Sequence, residues 1–147
     1  MYRISREKNR IQKLESRKFG DLGFQEREHL QEWLANYPEA LEEAGLLIIQ
    51  KEFDGFDDTR ERLDLLALDK AGNLVIIENK LDDSGRDVTW QALKYASYCS
   101  TLNRSKIANI YQDYLDKYKG GGDAKENIVE FLVEEDFESL VLNRDHH

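Results

Sequence analysis

The chain has 147 residues, of which 40% are hydrophobic, 35% charged and 10% aromatic. That is one domain's worth, with enough apolar material for a core, and the aromatic content argues against long-range disorder. No apolar run reaches the ~18 residues of a membrane span, and the first residues lack the apolar centre of a secretory signal. No membrane partner is therefore expected. Cys99 is the only cysteine, which excludes a disulfide scaffold and points to a reducing, cytoplasmic setting. One cysteine and three histidines also exclude a finger-like zinc cluster.

The formal charge of −9 is unevenly spread. Residues 1–19 carry Arg3, Arg6, Lys8, Arg10, Lys13, Arg17 and Lys18 against only Glu7 and Glu15, while the rest of the chain is strongly acidic. Residues 1–24 read as a basic arm able to track phosphates, with Lys13 and Arg17 among its candidate contacts. The plain alternative is a solvated surface.

Residues 25–36 are predicted to be a helix. Leu30, Trp33, Leu34, Tyr37 and Leu41 recur at helical spacing, and Pro38 ends or kinks the run. Glu26 falls on that stripe, whereas Glu28 and Glu32 point away from it. Residues 46–53 form a β run closed by Asp54-Gly55. Two more β runs, Leu63–Leu68 and Leu74–Glu78, flank Lys70-Ala71-Gly72, a three-residue hairpin loop with glycine at the left-handed position. Both are apolar on both faces, the pattern of a central sheet covered on each side, hence an α/β sandwich. A second helix is predicted over 86–99, capped by Ser84 or Asp87, with a buried stripe of Val88, Ala92, Tyr95, Ala96 and Cys99. Trp90 faces away from that stripe, as a stacking platform or as packing beneath later helices. A third helix spans 104–118, Gly120-Gly121-Gly122 stops it, and a fourth covers about 124–134.

The hairpin loop pairs Asp69 with Asn73 and, five steps along, Asp64 with Glu78. Residues directly opposite in an antiparallel pair have Cβ atoms about 4.5–5.5 Å apart. Two facing carboxylates repel unless a cation or a proton lies between them. Lys80, two residues beyond Glu78, projects from the same face, and Arg62 lies opposite Lys80 in the same register. Carboxylate oxygens suit a hard cation such as Mg²⁺. As a purely structural feature, the three residues would form a strand-end ion cluster.

Asp64, thirteen intervening residues and then Glu78-Asn79-Lys80 resemble the signature of the PD-(D/E)xK nuclease superfamily, the restriction-endonuclease-like fold. The resemblance covers about residues 25–99. Gln91 and Tyr95, one turn apart on the second helix, look like a pair carried by exonuclease-like and mismatch-endonuclease-like branches. The resemblance implies a mixed central sheet flanked by helices, here with extra C-terminal helices over 101–147. It implies a divalent-metal-dependent endonuclease or exonuclease, a hydrolase of phosphodiester bonds in DNA, with RNA not excluded. Asp64 and Glu78 would hold Mg²⁺ or Mn²⁺, with the Asn79 carbonyl and Glu26 as further metal ligands. Lys80 would orient the attacking water and Gln91 would position Lys80 or the substrate. Arg62 and Tyr95 would contact nucleic acid.

The chain also departs from the superfamily. Leu63 stands where a proline often precedes the aspartate, and no clean β run follows residue 100, where a further parallel strand is usual. We expect the chain to be the N-terminal part of a longer protein, with an open sheet edge suited to pairing as a homodimer. The alternative from another class is a non-catalytic nucleic-acid or protein docking module with the same fold, which the acidic net charge favours and the intact Asp/Glu/Lys set opposes.

Overall fold

A computed structural model describes residues 2–5, 7–55, 62–79 and 86–144, with side chains at 86–88 outside that description. The architecture is mixed α and β. Strands β1 (Tyr2–Ser5) and β2 (Arg10–Lys13) form a two-stranded antiparallel sheet, and β3 (Leu47–Phe53), β4 (Leu63–Leu68) and β5 (Leu74–Ile77) form a three-stranded one in the order β3-β4-β5. The helices are α1 (Glu32–Asn36), α2 (Arg86–Cys99), α3 (Arg104–Tyr114) and α4 (Ala124–Leu132).

The three-stranded sheet is antiparallel throughout, as follows when consecutive strands are joined without a crossover. The mixed sheet expected from the resemblance is not seen: among the described residues no parallel strand follows α2. On β4, Leu63, Leu65 and Ala67 point to one face and Leu66 and Leu68 to the other, and all five are fully buried. The sheet is therefore covered on both sides at its centre. Tyr95, Cys99, Ile107, Tyr111 and Ile128 from the helices complete the core. A fully buried leucine contributes about 1.5–3 kcal/mol relative to exposure, so β4 is the strand least tolerant of truncation.

The hairpin between β4 and β5 has the predicted register, with Leu65 opposite Ile77 and Leu68 opposite Leu74. Gly72 takes the left-handed conformation at φ 79°. Asp69 sets the turn: its N–H donates to the Asn73 carbonyl at 3.0 Å, and its Oδ1 accepts the N–H groups of Ala71 and Asn73, both at 2.8 Å. A residue with this side chain is suited to stabilising such a turn from within.

Three features depart from the sequence reading. Strands β1 and β2 pair as an antiparallel ribbon that is exposed apart from the half-buried Ser5. The first helix opens as a π-helical turn, Glu26–Gln31, before continuing as α1. The wider turn shifts the helical phase, so Gln31 and Ala35 are buried, while Trp33, Tyr37 and Leu41 are exposed. Glu32 does not simply point away: its Oε1 pairs with Lys51 Nζ at 2.6 Å. The third feature is an irregularity in β3. Its pairing with β4 slips between Ile48 and Gln50, a β-bulge that leaves Ile49 as the extra residue.

The C-terminal helices follow the predicted punctuation. A second π-helical turn, Leu115–Lys119, extends α3 and ends at Gly120 with φ 77°. Asp123 caps α4, accepting from the N–H groups of Lys125 and Glu126.

Candidate functional site

The pairs Leu65–Ile77 and Leu66–Ile76 extend by one step to set Asp64 opposite Glu78, immediately past the end of β5. Both residues are half-buried. The Asn79 N–H donates to Asp64 Oδ2 at 2.9 Å, which fixes the orientation of that carboxylate across the mouth of the hairpin. Asn79 is 3% exposed and its side-chain Nδ2 has no hydrogen-bond partner among the described residues. A buried donor without a partner is costly unless something else engages it. Lys80 lies outside the described residues.

The bulge in β3 decides what stands on the other side of Asp64. Without it, the pairing of Leu47 with Leu68 would carry Lys51 opposite Asp64. With the register moved by one, Lys51 pairs with Leu65 and Phe53 with Leu63, so Glu52 falls opposite Asp64. By extension of these registers three acids fall in one row: Glu52 on β3, Asp64 on β4 and Glu78 just past the end of β5. The Gln50 side chain secures the irregularity: its Oε1 accepts the Lys51 N–H at 3.0 Å and its Nε2 donates to the Ile110 carbonyl at 3.3 Å.

Glu52 was not identified from the sequence. Its φ is 54°, a conformation that residues with a side chain seldom take. Its carboxylate is a meeting point. Oε1 accepts from Gln31 Nε2 at 3.4 Å and pairs with Arg27 Nε at 3.5 Å; Oε2 pairs with Arg62 Nη1 at 3.3 Å. The π-helical turn that begins with Glu26 is thereby tied to the row of acids, and Glu26 itself is half-buried at its start.

Two predicted residues on α2 lie one turn apart. Gln91 is half-buried. Tyr95 is 1% exposed, and its hydroxyl donates to the Arg62 carbonyl at 3.2 Å. In this conformation Tyr95 offers no ring face to a base and acts instead on the backbone two residues before Asp64. Trp90 is 76% exposed, so it does not pack beneath the C-terminal helices. Lys13 and Arg17 are exposed, the first on β2 and the second beyond it, where Arg17 pairs with Glu15 at 3.3 Å. His29 is occupied locally: its Nδ1 accepts the Gln25 N–H at 3.0 Å, within rings contributed by Phe24 and Trp33. Cys99 is buried, and burial pushes its thiol up to about 11.

The donor set fits a hard divalent cation in kind, because the facing groups are carboxylates. Among the described residues no three Asp, Glu, His or Cys side chains converge closely enough to hold an ion by themselves. A metal at Asp64 and Glu78 would need main-chain oxygen, water or substrate to complete its shell, as Mg²⁺ commonly does. Among the described residues no helix is long and apolar enough to cross a membrane. No protein-family model, curated protein or solved structure matches the chain.

Proposed function

We propose that the chain is a divalent-metal-dependent nuclease that hydrolyses phosphodiester bonds in DNA, built on a restriction-endonuclease-like fold. The observation that carries this reading is the hairpin register, which sets Asp64 opposite Glu78 while the Asn79 N–H holds the Asp64 carboxylate. Facing carboxylates at a strand end favour a cation between them.

In this reading Asp64 and Glu78 hold Mg²⁺ or Mn²⁺, with the Asn79 carbonyl and Glu26 as further oxygen donors. The bound ion would supply a water of lowered pKa and a positive charge beside the phosphate. The Asn79 N–H, which holds the Asp64 carboxylate, would orient it for binding the ion. Lys80 orients the attacking water and offsets charge developing on the phosphate. Gln91 positions Lys80 or the substrate strand. Tyr95 fixes the Arg62 carbonyl and through it the lead into Asp64.

A second reading, a docking module that binds without cutting, is favoured by the net charge of −9. The discriminating experiment incubates labelled single- and double-stranded DNA and RNA with the protein in Mg²⁺, Mn²⁺ or EDTA. The nuclease reading expects DNA fragments with either metal and none in EDTA. Binding without cleavage of any substrate in any arm would replace it with the docking module.

A further inference from the structure

Glu52 holds two arginines that come from different parts of the chain. Arg27 belongs to the π-helical turn Glu26–Gln31, and Arg62 leads into β4 two residues before Asp64. Both reach the same carboxylate, at 3.5 Å and 3.3 Å. Both are longer than the about 2.7–2.9 Å usual for a charge-assisted hydrogen bond. Each arginine also spends only one of its N–H-bearing nitrogens there: Nε for Arg27 and Nη1 for Arg62. A guanidinium has five N–H donors, so among the described residues most of each fork is not engaged. The Arg27 and Arg62 side chains are 62% and 49% exposed, so that capacity faces solvent.

The carboxylate that joins them is itself hydrogen-bonded to a buried side chain. Gln31 is 2% exposed and donates to Glu52 from below, and Tyr95 pins the Arg62 carbonyl. Glu52 reaches its position through two departures from regular strand geometry, the bulge at Ile49 and its own left-handed φ. Bulges beside functional sites re-aim side chains, and unusual backbone conformations gather at ligand clamps. Here the outcome is specific: Lys51 is moved away from Asp64, and a carboxylate that gathers two arginines takes its place. Ordinary surface ion pairing would not require either departure.

The geometry points to a phosphate clamp. Arg27 and Arg62, held on Glu52, each bind a backbone phosphate of a nucleic-acid strand and lay that strand across the row of acids at Asp64 and Glu78. The planar fork of arginine matches two phosphate oxygens at once, which a lysine ammonium cannot do. The clamp also sets two cations beside the acidic site of a chain of net charge −9, which offsets the repulsion a polyanion meets there. This inference names the substrate contacts of the proposed nuclease and rests on that reading for its biological purpose, but it is tested by binding alone.

The test measures polarisation of a fluorescein-labelled 20-base-pair duplex and of the matching single strand in EDTA, so that cleavage does not enter. Wild type is compared with Arg27→Ala, Arg62→Ala, both arginine→lysine variants and, as a control cation away from the site, Lys117→Ala. Melting curves check that each variant is folded. Each alanine variant should bind several-fold more weakly and lose about 0.9 from the log–log salt slope on duplex DNA, the contribution of one neutralised phosphate. The lysine variants should recover the slope but not the full affinity, because charge returns without the fork. Lys117→Ala should match wild type. Equal slopes and affinities for wild type and both alanine variants would overturn the clamp, as would a wild type that binds neither probe. If the variants behave as expected but wild type never cuts DNA in Mg²⁺, the clamp stands and the nuclease reading falls. If wild type cuts and the slopes are unchanged, the nuclease reading stands and the clamp falls.

Discussion

A metal ion at the hairpin mouth should be visible as stability before any substrate is added. Carried one step past its last pair, the β4–β5 register sets Asp64 opposite Glu78, and such pairs have Cβ atoms about 5 Å apart. Carboxylates set opposite each other repel when both are ionised. A divalent ion that binds the folded hairpin and not the unfolded chain replaces that repulsion with attraction and stabilises by mass action. At a free concentration about 100 times its dissociation constant the gain is about 2.7 kcal/mol. With 147 residues and an unfolding entropy of about 2.1 cal/mol/K per residue, that gain raises the melting temperature by about 8–9 °C. Glu78→Gln keeps the shape and removes one charge, so the increment should collapse. The assay is a melting curve followed by circular dichroism in EDTA, in MnCl₂, and in NaCl at matched ionic strength. Mn²⁺ should act at least as strongly as Mg²⁺ at an oxygen-rich site. A wild type that shifts equally in Na⁺ and Mn²⁺, or a Glu78→Gln variant that keeps the full Mn²⁺ increment, would refute the argument.

Two further outcomes follow from other parts of the molecule. Removing residues 1–19, and with them the basic β1–β2 hairpin, should weaken nucleic-acid binding and flatten its salt dependence by about 0.9 per lost phosphate contact on duplex DNA; an unchanged slope would assign the hairpin a role apart from nucleic acid. The Cys99 thiol keeps its proton in the folded chain up to about pH 11, whereas an ordinary thiol of pKa 9.0 has already ionised. The folded state therefore binds more protons between those values, so stability is intact below pH 9 and falls by about 2–3 kcal/mol toward pH 11. Cys99→Ala should remove that fall between pH 9 and 10, read by urea denaturation, before Tyr114, pushed up to about 12 by burial first and then by Glu32 and the neighbouring tyrosines, contributes its own loss at higher pH. An identical slope in wild type and Cys99→Ala over that interval would contradict the assignment.

The parts of the site that sequence made legible are those set by local turn chemistry. Lys70-Ala71-Gly72 admits one economical hairpin, and the observed φ of 79° at Gly72, with Asp69 bonding inside the turn, gives the register that was read from spacing. Asp64 and Glu78 follow from it. Gln91 and Tyr95 were placed on one helix face by simple periodicity, and α2 runs from Arg86 to Cys99 as expected. The pairing of β3 was not legible, because a bulge is a tertiary choice: nothing in Leu47–Phe53 marks Ile49 as the residue to be left out. That single slip separates Glu52 from Lys51 as the neighbour of Asp64, which is why Glu52 and its hold on Arg27 escaped the sequence. The π-helical turn at Glu26–Gln31 had the same effect on the first helix. It left Leu30 and Leu34 half-buried, exposed Trp33 and buried Gln31 and Ala35, and a polar residue such as Gln31 gives no hydropathy signal for burial. The N-terminal hairpin was missed because its strands are four residues each and rich in charge, which hides the alternation that marks a strand.

The central claim is that Asp64 and Glu78 act together on a phosphodiester. The most direct measurement compares wild type with Asp64→Ala and Glu78→Ala, prepared side by side, for cleavage of an end-labelled DNA duplex and single strand in Mg²⁺. The account predicts that wild type produces fragments, that EDTA stops it, and that each variant loses the activity while keeping the wild-type circular dichroism spectrum. Equal cleavage by wild type and both folded variants, or no metal-dependent cleavage by wild type, would contradict it.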